Sequence, residues 1–563
     1  MIEPLSRRSL LKTLGATTAL HALPAVAQPA GSEDRATIPL HGELGETPAQ
    51  QRARWIALAQ SLRRDPIERP EPPIALVRPV ADASQYLRWR MEQEAPATAL
   101  GDRLLHRGDH FLLDFGGHRA GYFAFHLIGE GKSVDSPVRL KLTFGEVPGD
   151  VAEPLYPYKG QLSSAWLPEE IITVDFLPQR VRLPRRYAFR YVKVEVLDTS
   201  PNFGVRFRDV QAIAVSATHG EPAPLPAGTQ EWIRQVDAIG ARTLRDCMQT
   251  SFEDGPRRDQ RLWLGDLRLQ ARASYVTYPN YYLVRRCLFL FAGLAREDGM
   301  VSACVFEKPY PMGSEPFLND YSALFISALL ELTRASKDLD TARELFPLAK
   351  RQMEILLGRL DQDGVYRVPQ GEYIFIDWNR QLDYTAAAMG VLAYTLEHLL
   401  ELADLIGRAV DVQPYKAKLA QIRATAHAHF YDKDRKFCFS GEKKEVSWAT
   451  QAWMVLGGCV SREEAQACLR NGALTNATSV KPSTPYLYHY VAEALVVCGL
   501  RREALELIQQ YWGGMAAAGA DTFWELYDPA DSTYSPYGDV HINSFCHAWS
   551  CTPTWFFRDQ KLL

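Results

Sequence analysis

The stretch FEDGPRRDQRLWLGD, Phe252 to Asp266, gathers four carboxylates and several arginines around one tryptophan. Asp259 and Asp266 follow Asp254 by five and twelve residues, with Arg258 and Trp263 between them. Carboxylates so placed accept paired hydrogen bonds from vicinal sugar hydroxyls, and an indole covers a sugar's ring or methyl face. A carboxyl held near apolar surface has a raised pKa and can donate its proton at neutral pH. Gly255-Pro256 cannot continue a helix, so the run is expected on a loop at a helix terminus, where ligand groups commonly sit. A solvated surface loop would carry similar charge, so chemistry here calls for a second site.

That second site is GADTFWELYDPADSTYSPYGDVHINSFCHAWSCTPTWFF. Glu525 follows Phe523 and Trp524, and His547 lies among Cys546, Trp549 and Trp555. Glycoside hydrolysis needs two carboxyls facing each other across the scissile bond, one giving a proton and one activating water or attacking the sugar. A lone Glu after two aromatics is usually an ordinary helix-end residue. Set on the same scaffold as the Asp/Arg/Trp run, it becomes a candidate for the second carboxyl that such chemistry needs.

Two periodicities supply the scaffold. From about His110 to Ala217 the apolar period is two: Val138, Leu140, Leu142 and Phe144 alternate with Arg139, Lys141 and Thr143, and Val192, Val194 and Val196 with Lys193 and Glu195. These are half-buried antiparallel strands by pattern, with turn-like breaks at FGGHRAG, GEGKSVDSP and EVPGDVAEP, and they predict a β-sandwich or jelly roll. RPEPPIALVRPV, upstream, reads as linker or edge strand. After HGEPAPLPAGT the period becomes 3.6: Thr229 is expected to cap a helix carrying Trp232, Val236, Ile239 and Leu244, and Met389, Leu392, Leu396, Leu399 and Ala403 share one face before Gly407. The remaining length allows on the order of twelve helices. No fixed-period repeat points to a helical solenoid.

The expected organisation is a leader over 1–27, linker and start of the β region over 28–108, a β-sandwich over 109–222 and an all-α domain over 223–563. The leader reading rests on Ser6-Arg7-Arg8, Leu11-Lys12 and Ala25-Val26-Ala27, which resemble a twin-arginine export signal and place cleavage before Gln28. A periplasmic or secreted protein with no membrane partner follows as an expectation. Nine cysteines, none before Cys247, lack metal spacing and are expected as buried thiols. With 63 basic and 67 acidic residues the chain has no broad attraction for nucleic acid, while 12 Trp and 25 Tyr suit a carbohydrate partner.

DGPRRDQRLWLGD resembles the signature of the bacterial α-L-rhamnosidases of glycoside hydrolase family 78, as do FIDW at Asp377-Trp378, the late TFWE and the closing SFCHAWSCTPTWFF, in that order. DFGGHRAGYFAFHL and YAFRYVKVEV resemble the β domain that precedes its catalytic domain. The resemblance implies a six-hairpin (α/α)6 barrel and an inverting glycoside hydrolase acting on terminal α-L-rhamnose or a related sugar. It implies Asp259 as general acid and Glu525 as the base, with Asp254, Arg258, Trp263, Asp266, Trp378 and His547 binding the sugar. Two departures stand out: Asp259 occupies a position where many members carry Glu, leaving Glu253 as the other candidate acid, and Gln260 replaces a usual Arg. The chain also leaves no room for the family's usual C-terminal β domain. No metal or organic cofactor is called for, calcium on the β domain being the one left open, and the oligomeric state is not readable. The alternatives are an unsaturated glucuronyl hydrolase on the same barrel and a catalytically silent glycan-binding protein.

Overall fold

The computed structural model describes residues 48–315 and 317–563. The twin-arginine reading falls outside the described residues. Nine antiparallel strands form one sheet around a main apolar core to which Leu113, Phe123, Leu140, Phe144, Phe189, Val194 and Phe207 contribute. The strand His110–Gly131 organises it. Its first part pairs with Ala75–Ala81 and Tyr187–Asp198, its later part with Phe203–Ser216 and Gln179–Arg182, so one long strand serves both halves of the wrapped sheet. FGGHRAG, expected as a turn, lies inside this strand. The register shifts between Asp114 and Arg119, with Gly116 at φ +79°, and the chain bulges without reversing. A Cβ on Gly121 would stand 2.3 Å from the Ile213 carbonyl oxygen, so the neighbouring strand requires glycine there.

The stretch expected as linker and start of the β region also carries a helix. Pro48–Ser61 is a helix whose Trp55 and Ala59 enter the core of the helical domain, and Trp55 Nε1 donates to Glu344 Oε1 at 2.6 Å. Ile67–Glu71 pairs along the sheet edge with Phe203–Ser216, and Ala75–Ala81 pairs on both sides.

The helical domain is a closed ring of twelve helices in six hairpins. Inner helices Leu264–Val276, Asn319–Ser336, Thr385–Leu405, Trp448–Leu456, Pro485–Val497 and Pro553–Arg558 alternate along the chain with outer helices Glu231–Cys247, Tyr281–Gly293, Leu339–Leu357, Gln413–Phe430, Arg462–Leu469 and Arg501–Ile508. The inner helix Thr385–Leu405 is buried well beyond a single face. Met389, Leu392, Leu396, Leu399 and Ala403 are all covered, as expected, and Gly407 follows at φ +78°. Thr229 does not cap the first helix. Its hydroxyl donates to Pro226 O, and Gln230 holds the cap position.

The ring's axis is filled. Arg268, wholly buried, donates to Glu331 Oε1 at 2.8 Å and to the Tyr394 and Tyr490 hydroxyls at 2.6 and 3.1 Å. Arg272 donates to Glu493 Oε1 at 2.7 Å and lies 4.0 Å from the Trp555 ring centroid. Four inner helices are thus tied together by charge-assisted hydrogen bonds shielded from water. All nine cysteines are buried.

Candidate active site

The sequence-predicted residues converge where the inner helices begin. The helix Glu231–Cys247 ends before the charged loop, and Leu264–Val276 starts after it, with Trp263 at the cap and Asp266 in the first turn. Leu262–Trp263 pairs with Cys304–Phe306, which fixes the loop's exit. Its fold back on itself is set by Asp254, whose Oδ1 accepts from the backbone N–H groups of Gly255 at 2.7 Å and Arg261 at 3.1 Å. Gln260, at φ +51°, donates from Nε2 to Pro256 O at 2.8 Å and closes the turn. Gly255 admits no side chain: a Cβ would lie 2.8 Å from Ser544 Oγ.

Arg258 joins the two motifs. Its Nη2 donates to Glu525 Oε1 at 2.9 Å and its Nε to Asp259 Oδ1 at 3.3 Å, while Nη1 donates to Ile542 O at 2.7 Å. Burial works against its charge, but Glu525, Tyr537 and Asp259 outweigh that and raise its pKa above the ordinary arginine value. Glu525 is further held by the Tyr537 hydroxyl, 2.7 Å from Oε1, and by Ser544 N–H, 3.1 Å from Oε2. Asp259 is the more open of the pair, its side chain 21% exposed against 2% for Glu525.

Around this pair lie groups whose protonation burial has altered. Desolvation raises Asp254 well above the usual carboxylate range, and the charges of Asp259 and Asp266 raise it further. Desolvation does the same to Asp266, with Glu525 and Asp259 adding to it. His547 is pushed down to about 3 by burial and by Arg258, so its ring is neutral. His547 Nδ1 and Asp266 Oδ1 face each other at 3.8 Å, each buried and without a hydrogen-bond partner. A hydroxyl placed between them would satisfy both.

Aromatic rings form the wall. Trp549 donates from Nε1 to Glu525 O at 2.9 Å and packs on His547, Phe375 and Trp378 at centroid distances of 4.4, 6.1 and 5.3 Å. Trp378 meets Tyr537 edge-on at 5.8 Å, and Trp263 meets Tyr321 edge-on at 6.3 Å. Asp377 points away from this wall. It accepts from Ser483 N–H at 2.6 Å and Thr484 Oγ1 at 2.7 Å, and burial pushes its pKa up to about 6. Asp320 likewise supports the loop, accepting from Phe375 and Ile376 N–H at 3.0 Å each.

Glu253 sits elsewhere. Both its oxygens accept from Arg186 Nη2, at 2.8 and 2.6 Å, just before the strand Tyr187–Asp198. Arg257 also turns to the β domain, bonding both Asp150 oxygens at 2.6 and 2.9 Å. Behind the loop His118 is clasped between Asp246 at 2.7 Å and Glu146 at 3.0 Å, and Glu146 accepts Phe545 N–H at 2.7 Å. His118, Asp246 and Cys546 bring possible ligand atoms within 4.8 Å of one another, but both imidazole nitrogens are already engaged by carboxylates. Sequence reasoning passed over Tyr537, Ser544, Asp320 and Arg257, and named Trp549 only as a neighbour of His547. Arg257 lay inside the quoted run, where a second adjacent arginine was the available signal.

Comparison with known proteins identifies the two domains. Residues 73–214 match the glycosyl hydrolase family 78 alpha-rhamnosidase N-terminal domain, and residues 229–560 the bacterial alpha-L-rhamnosidase 6 hairpin glycosidase domain. A rhamnosidase from Klebsiella oxytoca, solved with rhamnose bound, is 43% identical with a TM-score of 0.87, over 90% of this chain and 99% of that one. The family 78 rhamnosidase of Bacillus sp. GL1 shares the fold at 21% identity and TM-score 0.67, over 80% of this chain and 46% of that one. The Streptomyces avermitilis α-L-rhamnosidase complexed with L-rhamnose does so at 17% and 0.60, over 80% and 42%. No curated protein sequence matches the chain significantly. No helix among the described residues is long and apolar enough to cross a membrane. Two matched domains and a ring of six hairpins place the chain in glycoside hydrolase family 78, among the bacterial α-L-rhamnosidases.

Proposed function

We propose that the protein removes a terminal α-L-rhamnose, or a closely related sugar, from a glycan or glycoside with inversion at the anomeric carbon. The observation that carries this reading is the pairing of Asp259 and Glu525 through one buried guanidinium at the mouth of the helical ring. Asp259, the more exposed carboxyl, protonates the leaving oxygen; Glu525, oriented by Arg258, Tyr537 and Ser544, takes a proton from the attacking water. Asp254, Arg258, Asp266 and neutral His547 hold hydroxyls, while Trp263 and Trp378 cover the apolar face. Glu253 is a poor donor because Arg186 occupies both its oxygens.

Proton transfer between two carboxyls and water needs no metal or organic cofactor. Activity is therefore expected to survive dialysis against EDTA. Export is inferred from Arg7-Arg8 and Ala25-Val26-Ala27, and the N-terminus of protein recovered from the periplasm or medium is expected at Gln28. The test of the chemistry is hydrolysis of an aryl α-L-rhamnoside followed by NMR of the first-formed sugar. The β anomer is expected; the α anomer would refute inversion, and full activity in Asp259→Asn or Glu525→Gln would refute the residue roles.

A further inference from the structure

An open cleft of about 920 Å³ begins at Trp378, and its lining includes Trp378, Arg380, Lys481, Tyr488, Asp528 and Tyr534. Trp378 packs edge-on against Tyr537, whose hydroxyl bonds Glu525, so the cleft and the acid pair share this aromatic wall. The wall carrying the two cations is stitched together. Asn379 Nδ2 donates to Lys481 O at 3.2 Å, and Asp377 holds Ser483 N–H and Thr484 Oγ1 at 2.6 and 2.7 Å.

Arg380 and Lys481 are exposed, and among the described residues neither side chain has an ion-pair or hydrogen-bond partner. Arg257 and Arg258, nearer the acid pair, already donate to protein carboxylates and carbonyls. Asp528 is the one acid among the lining residues, and its Oδ1 already accepts Ala530 N–H at 2.8 Å. The cleft therefore offers free cationic donors beside aromatic rings, the combination that suits a sugar ring bearing a carboxylate.

We propose that this cleft binds the group to which rhamnose is attached and selects one carrying a carboxylate, a uronic acid. The proposal rests on the reading of the acid pair as a rhamnoside-hydrolysing site. The Trp378 wall would place the uronate ring next to the scissile bond, with its carboxylate reaching Arg380 and Lys481.

The test compares three substrates with the full chain: an α-L-rhamnosyl uronate disaccharide, its methyl ester, and an aryl α-L-rhamnoside. The expected kcat/KM for the acid exceeds that for the ester about tenfold, a size two exposed ion pairs can supply, and the margin shrinks with added salt. Arg380→Gln/Lys481→Gln should bring the acid down to the ester while leaving the aryl rhamnoside unchanged. Equal kcat/KM for acid and ester in the wild type, with aryl hydrolysis intact, overturns the cleft assignment alone. Absence of aryl hydrolysis overturns the underlying reading, and this proposal with it.

Discussion

Arg258 donates to Glu525 at 2.9 Å across 267 residues of chain, and the same guanidinium reaches back to its neighbour Asp259. One side chain thus sets the relation between two carboxylates supplied by opposite ends of the helical domain. Arg258→Lys keeps the charge but cannot reach Glu525, Ile542 and Asp259 together. A fall in kcat of about a hundredfold or more is expected, the range associated with misplaced acid–base groups, with an unchanged circular dichroism spectrum. Near-normal turnover would show that the bridge is dispensable.

Tyr537 gives Glu525 its second side-chain donor, at 2.7 Å. Tyr537→Phe removes that donor while keeping the ring against Trp378 and Arg258. The expected result is a loss of about ten- to a hundredfold in kcat with little change in KM, since a single buried hydrogen bond to a charged group contributes roughly 1.5 to 3 kcal/mol. Steady-state kinetics on an aryl rhamnoside decides it, and a rise confined to KM would count against the orienting role.

Asp377 gives a pH test whose sign is opposite to that of a salt-bridged carboxylate. Burial pushes its folded-state pKa up to about 6, above the usual unfolded value near 4. The folded protein binds more protons than the unfolded one in that window, so this group's stabilising share is whole below pH ~4 and is lost as pH rises through 6. Asp377→Asn has no such titration. The wild type's melting temperature minus that of the variant should therefore shrink between pH 4 and 7, and a constant difference in scanning fluorimetry would contradict the assignment.

Arg257 and Asp150 form a buried ion pair between the charged loop and the β domain, at 2.6 and 2.9 Å. Removing one partner leaves an uncompensated buried charge, with an expected cost of about 3 to 5 kcal/mol. Urea unfolding of Asp150→Asn should show that loss while Glu525 and Asp259 are untouched in sequence. A variant as stable as wild type would mean that water or Glu146 fully replaces the lost carboxylate.

The two domains were legible because their apolar periods differ. Val138 to Phe144 and Met389 to Ala403 bury the faces that their spacing assigns. The helix Pro48–Ser61 was not legible, because among its fourteen residues only Gln51, Trp55 and Ala59 are buried, too few to make a stripe. FGGHRAG read as a turn since glycine serves reversals and bulges alike, and which occurs is decided by the pairing of the strand. Within the site, Asp254, Asp259 and Asp266 shared one short run and could be seen together. Tyr537 and Ser544 could not, because they come from loops without periodicity and acquire their partners only when the ring closes on Glu525.

The Arg268 and Arg272 network gives the ring a floor. A ring of helices open at both ends would be a tunnel through which a long chain could thread and be cut internally. With four helices bolted together beneath Asp266, a substrate of the proposed kind has one way in: it would present an end and leave through the mouth by which it entered.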